Sequence, residues 1–171
     1  IAVGFALSVT FPNAGNLGGG GFMVIRTSSG EVRTIDFREV APENAFRDMY
    51  LDENGDVISG MSLYTAHASG VPGTVAGFEY AHERFGTKSW NYLLRPSIQL
   101  ATNGFELSFR DAMYLNASRS FFLRDEESAK IFAAQDNYSV GDLFIQKDLA
   151  KTLRRISIGG ADEFYKGVTS D

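Results

Sequence analysis

The chain has 171 residues, 44% hydrophobic and 13% aromatic, the range of one globular domain that can bury roughly 70% of its unfolded surface. Its net charge of −5, from 21 acidic and 16 basic residues spread along the sequence, leaves no cationic face for nucleic-acid phosphates. With zero cysteines, disulfides, thiolate zinc sites and a cysteine nucleophile are excluded, although compartment is left open.

In chain order, the opening IAVGFALSVTF is apolar yet too short to span a bilayer, and it lacks the basic flank of a signal peptide. Ala2, Phe5, Ala6 and Val9 fall at helical spacing, and Pro12 with Asn13 ends that helix. The segment reads as a helix cut at its start, and the abrupt stop soon after DEFYKG points the same way. The expectation is a piece of a longer polypeptide, a single incomplete domain over 1–171 with no internal boundary.

Next comes GNLGGGGFMVI, Gly15 to Ile25, in which four consecutive glycines run straight into large apolar side chains. FMVIRT and EVRTIDF are β-rich and joined by SSG, which predicts an antiparallel hairpin. The nearly all-apolar first run predicts a strand buried on both faces. DMYLDENGDVISGMS predicts a mobile surface loop that turns at Asn54-Gly55. In SGVPGTVAGFEYAHERFG, Pro72 pre-sets a helix entry, Val75, Phe78, His82 and Phe85 recur at spacings of 3, 4 and 3, and Gly86 closes the helix.

SWNYLLRPSIQLATNGF is helical in pattern, with Pro96 either kinking it or opening a second helix, and Asn103-Gly104 as the stop. In KDLAKTLRRISIGG the apolar stripe is Leu149, Leu153 and Ile156, with the glycine pair as C-cap. Helices dominate after the hairpin, and no repeat, low-complexity tract or linker divides the chain.

Several chemistries find no support. There is no G-x-x-x-x-G-K-[ST], and the glycines at 15, 18, 19, 20 and 21 cannot be registered onto G-x-G-x-x-G, because the third glycine falls on Met23 or Val24. No G-x-S-x-G elbow occurs. His67 and His82 are fifteen residues apart with no second ligand at helical spacing, which argues against zinc. His82, within its own apolar stripe, reads as a core-edge residue, and His67 as a loop residue. Glu126-Glu127 and Asp162-Glu163 read as solvated helix termini rather than glycosidase carboxylates. Asn116-Ala-Ser and Asn137-Tyr-Ser match the glycosylation sequon, a pattern short enough to arise by chance.

One constellation remains, in DFREVAP. On a strand, Asp36 and Arg38 project to one side and Phe37 and Glu39 to the other, close to where Pro42 stops the strand. Arg38 can pair with a nearby carboxylate and pin the strand. Alternatively its guanidinium faces a cleft and takes a substrate carboxylate in two parallel hydrogen bonds, a geometry lysine cannot copy. Residue chemistry by itself leaves both open.

LGGGGFMVI, DFREVAP, SGVPGTVAGFEYAHERFG, LLRPSIQLATNGFELS and DLAKTLRRISIGGADEFYKG stand in the order seen in gamma-glutamyltranspeptidases, also called glutathione hydrolases, and the chain resembles the N-terminal part of their large subunit. The resemblance implies an α+β fold, the N-terminal part of the αββα sandwich of N-terminal-nucleophile hydrolases, with one β-hairpin and mostly helices in this chain. It implies a precursor that cuts itself and a threonine nucleophile at the start of the small subunit, so that no catalytic residue lies here.

By the same resemblance Arg38 binds the α-carboxylate of the γ-glutamyl donor, and the other substrate contacts come from the small subunit. The implied partners are that subunit, a γ-glutamyl donor such as glutathione, and an amino acid or peptide acceptor. No metal or cofactor is implied, and the implied location is periplasmic or extracellular. A cephalosporin or glutaryl acylase of the same superfamily, sharing the glycine and arginine boxes, is the alternative reading. A non-catalytic module that only binds its partner chain is another.

The glycines, in such a sandwich, are expected to be structural: they let the loop before the strand turn tightly and approach neighbouring backbone.

Overall fold

The computed structural model describes residues 1–14 and 16–170, so Gly15 of the glycine stretch and Asp171 lie outside the described residues. In chain order the elements are α1 (Ala2–Thr10), β1 (Phe22–Arg26), β2 (Val32–Asp36), α2 (Met61–Tyr64), a 3-10 turn (Ala66–Ala68), α3 (Thr74–Phe85), α4 (Trp90–Asn103), β3 (Phe105–Glu106), α5 (Phe109–Phe122), α6 (Glu126–Phe132), β4 (Leu143–Phe144) and α7 (Lys147–Lys166). They fall into two compact units, Leu17–Phe85 and Ile1–Asn16 with Gly86–Asp171.

In the unit Leu17–Phe85, β1 and β2 form the expected antiparallel hairpin, with Phe22 opposite Asp36 and Arg26 opposite Val32. The ladder runs one residue further, Gly21 and Phe37 exchanging both backbone hydrogen bonds at 3.2 and 2.9 Å. Ile35 is buried and Met23 and Ile25 are half-buried. Phe22 and Val24, however, are 67% and 72% exposed, which corrects the expectation of a strand buried on both faces. The hydrophobicity of a strand reports what both its faces are suited to meet, and among the described residues only one face of this hairpin is met.

α3 spans the predicted residues, but its buried face is Thr74, Val75, Gly77 and Ala81, while Phe78, His82 and Phe85 flank it half-buried. Gly77 faces inward where the space beside it is filled from outside the helix, by Phe37. The stretch around Asn54-Gly55 is an exposed loop closed by a Leu51–Val57 bridge. Asp52 Oδ1 accepts the backbone N–H groups of Asn54 and Asp56, both at 2.9 Å. These bonds, Asp56's first, hold the Asp52 carboxyl below its usual range.

The other unit is helical around Phe5, Val9, Leu94, Leu153 and Ile156, all fully buried, on α1, α4 and α7. The ring of Phe5 meets Trp90 edge-on at 5.3 Å, and the Trp90 indole N–H donates to the Ile156 carbonyl at 2.9 Å. Gln146, buried before α7, donates from Nε2 to the carbonyl of Val9 at the end of α1, at 2.8 Å. α4 runs unbroken through Pro96, so no second helix opens there. The proline lies on the exposed side, and the carbonyl it leaves without an intrahelical donor belongs to Tyr92, an exposed residue that water can serve.

In α7 the buried stripe is Ala150, Leu153, Ile156 and Ala161. Gly160, at φ 66° and ψ −156°, interrupts the helix rather than ending it, and helix resumes as far as Lys166. Features without a sequence expectation include α5, the short pair β3–β4, with Phe105 opposite Phe144, and a satellite core of Leu107, Ala112, Leu115, Tyr138 and Phe144.

Candidate functional site

β2 delivers the arginine box. Its alternation continues past the strand, with Ile35 buried and Phe37 and Glu39 half-buried on one side, and Asp36, Arg38 and Val40 exposed on the other. Asp36 Oδ1 accepts the Arg38 backbone N–H at 3.0 Å. Val40 and Val71 exchange backbone hydrogen bonds at 3.1 and 2.8 Å, and the Gly19 carbonyl accepts the N–H groups of Gly73 and Thr74 at 2.9 and 3.0 Å. Three segments, 19–21, 36–40 and 70–77, are thereby laced together around the Phe37–Arg38 peptide.

Glycine makes that convergence possible. A Cβ on Gly20 would lie 2.9 Å from Glu39 N and 3.0 Å from Arg38 C, and closer still to the Phe37 carbonyl oxygen. On Gly73 it would lie 2.8 Å from Phe37 C and 3.0 Å from Arg38 O; on Gly77, 2.5 Å from Phe37 Cβ and 2.8 Å from its Cδ1. The expectation that the glycine stretch permits close backbone approach therefore holds at Gly20.

The guanidinium itself is 60% exposed. Its Nε donates to Glu39 Oε2 at 2.9 Å, and Cζ stands 5.8 Å from the centre of the Phe22 ring. Among the described residues the two terminal nitrogens have no protein partner. The Glu39 carboxyl is held below its usual range, first by its own backbone N–H and then by Arg38. Sequence reasoning had not singled out Glu39, although its adjacency to Arg38 was the available signal. The arrangement fixes one edge of the guanidinium to protein and presents the other two nitrogens outward, the edge that meets a planar carboxylate bidentately.

His67 lies in the 3-10 turn rather than a loop, at the rim of an apolar hollow of about 460 Å³ shared with Phe46, Met49 and Met61. His82 is half-buried at the edge of α3. Asn116 faces Tyr138, accepting its N–H at 2.8 Å and donating to its carbonyl at 2.9 Å, so this sequon side chain is committed to the fold. Asn137 is exposed.

Glu126 and Glu127 open α6 and pair with Lys130 at 2.9 and 2.7 Å, as solvated termini do. Glu163 departs from that expectation: it is 13% exposed, holds Arg155 at 3.1 Å across the Gly160 break and accepts the Thr169 hydroxyl at 2.9 Å. Among the described residues no cluster of three or more His, Cys, Asp or Glu side chains is placed to hold a metal ion.

The sequence model of the gamma-glutamyltranspeptidase family matches residues 1–171. A relative named glutathione hydrolase proenzyme from Pseudomonas sp. (strain A14) is 48% identical over 100% of this chain and 30% of its own length. Among solved structures, Helicobacter pylori gamma-glutamyltranspeptidase superposes with a TM-score of 0.93 at 48% identity, over 98% of this chain and 48% of that one. A cephalosporin acylase from Bacillus halodurans superposes with a TM-score of 0.84 over 99% of this chain and 32% of that one, at 21% identity, a likeness of fold alone. The chain thus spans less than a third of the length of the first of these relatives.

Proposed function

The chain belongs to the gamma-glutamyltranspeptidase family, and on that premise we propose that it is the donor-gripping part of an enzyme that moves the γ-glutamyl group of glutathione, or of another γ-glutamyl amide, to water or to an amino acid or peptide acceptor. The chain is read as one incomplete domain, completed by the rest of a self-cleaving precursor that is exported to the periplasm or beyond. The nucleophile is a threonine at the start of the small subunit, outside this chain. Its hydroxyl oxygen adds to the γ-amide carbonyl, and its own α-amine takes the hydroxyl proton and hands it to the departing amine. The resulting γ-glutamyl ester is then opened by water or by the acceptor amine. Oxyanion-hole donors stabilise both tetrahedral intermediates.

Arg38 takes the donor's α-carboxylate, which orients the γ-amide toward the threonine. The observation that carries this role is the division of the guanidinium: Nε tied to Glu39 at 2.9 Å, the terminal nitrogens outward and without protein partners among the described residues. Hydrogen bonds to charged groups are worth roughly 1.5–3 kcal/mol each, so Arg38→Lys in the full-length enzyme is expected to lower kcat/KM for a γ-glutamyl anilide by at least about tenfold. Its melting temperature is expected to stay at the parent value. Unchanged donor kinetics with a lowered melting temperature would reduce Arg38 to a strand pin.

A further inference from the structure

Phe37 sits on the opposite side of the strand from Arg38 and so cannot itself touch a carboxylate held by the guanidinium. We propose that it is nevertheless a positioning residue for donor binding: seated in the notch left by Gly77, its ring fixes the Phe37–Arg38 peptide and with it the direction in which the guanidinium leaves the strand. This rests on the reading of Arg38 as the donor-carboxylate ligand.

The Arg38 side chain is 60% exposed, and its side-chain neighbours are Glu39 and Phe22, so packing around the guanidinium does little to aim it. Beyond the single bond from Nε to Glu39, aim has to come from the backbone. That backbone is tied before the arginine, where Gly21 and Phe37 exchange hydrogen bonds, and after it, where Val40 pairs with Val71. Between these ties the peptide is held from the exposed side by Asp36 Oδ1, which accepts the Arg38 N–H at 3.0 Å. The tilt of the peptide is coupled to the Phe37 side chain, which lies against α3 where Gly77 offers no Cβ, beside the Phe78 ring at 5.8 Å and close under Gly21. Gly20 and Gly73 close on the Phe37 carbonyl as well. A shift of about an ångström at the base of a long side chain is enough to spoil a bidentate contact.

The test is a double-mutant cycle in the full-length protein, with Phe37→Ala and Phe37→Leu each made alone and together with Arg38→Lys, and a γ-glutamyl anilide as donor. Phe37→Ala is expected to raise donor KM at least about fivefold while kcat stays within about threefold, and to change KM less than about twofold once Arg38 is already lysine. An equal KM penalty in both backgrounds, or no KM change beside intact Arg38, overturns the inference while the donor-binding reading stands. If Arg38→Lys alone leaves donor kinetics unchanged, that reading fails and this inference with it. Should Phe37→Ala fail to fold or to self-cleave, Phe37→Leu decides. It keeps apolar bulk without the ring, and a donor KM equal to the parent's would overturn the role.

Discussion

At the residue scale the arginine box is a pair rather than a single cation. Glu39 shares its charge with the Nε edge of Arg38, and its carboxyl is held below the usual range by its own backbone N–H and by that guanidinium. The sign of the pH effect follows. A carboxyl whose folded-state value is depressed contributes fully above its unfolded value, about 4.3 for glutamate, and that contribution is lost as pH falls through the lower, folded value. Donor KM in the full-length enzyme is therefore expected to stay flat as pH drops through the ordinary glutamate range and to rise only below it. Glu39→Gln keeps an acceptor for Nε but removes the charge, so it is expected to raise KM by about threefold at neutral pH and to abolish the acid limb. A limb centred on the ordinary glutamate value, or one that persists in Glu39→Gln, would show that this pair does not set donor affinity. The pairing itself was hard to read from sequence because strand alternation sends Arg38 and Glu39 to opposite sides, and only the long side chains bring their charges together.

At the scale of elements, two effects compete at Gly77. Alanine is better than glycine inside a helix by about 1 kcal/mol, but overpacking a filled site costs about 1–3 kcal/mol. The atoms in the way, Phe37 Cβ at 2.5 Å and the ring base, are too close to the backbone to swing aside. Gly77→Ala is therefore expected to destabilise the full-length protein, read as a lower denaturation midpoint at constant slope.

The periodicity of this segment marked α3 correctly and mis-set its buried face. Apolar spacing picks out large residues, whereas tight approach selects small ones, and the filler, Phe37, is forty residues before Gly77 in sequence. β3 and β4 escaped for a related reason, since two residues each are too few to alternate. The start of α5, for which there was no expectation, is a capping box at Ser108 and Asp111. There the Asp111 N–H donates to Ser108 Oγ at 3.3 Å, and Asp111 Oδ2 accepts the Ser108 N–H at 3.1 Å. Ser108→Ala is expected to cost about 1 kcal/mol, measured by the same denaturation.

For the molecule as a whole, what was legible is what is local: the hairpin, the spans of α1, α3 and α4, and the order of the sequence blocks that carry the family. What was not legible is what depends on partners distant in the chain, and β1 is the plainest case. Its run Phe22–Arg26 is apolar on both sides, yet Phe22 and Val24 stand 67% and 72% exposed. In the same face Val24 pairs across the hairpin with Thr34. An apolar face beside an open strand edge is a template for pairing, and proteins cover or charge such surfaces when they stay in water. The chain carries no charge on β1 before Arg26, and it spans 30% of the length of its Pseudomonas relative, so the expected cover is the remainder of the polypeptide.

Val24→Lys separates the two possibilities. On a face that stays in water the change should cost no more than about 0.5 kcal/mol, whereas burying the ammonium against apolar cover should cost about 3 kcal/mol or more. The larger loss is expected in the full-length protein, with Ser28→Lys at the exposed hairpin turn as the neutral control. A full-length Val24→Lys protein as stable as its parent would mean that the outer face of β1 is solvated in the complete enzyme.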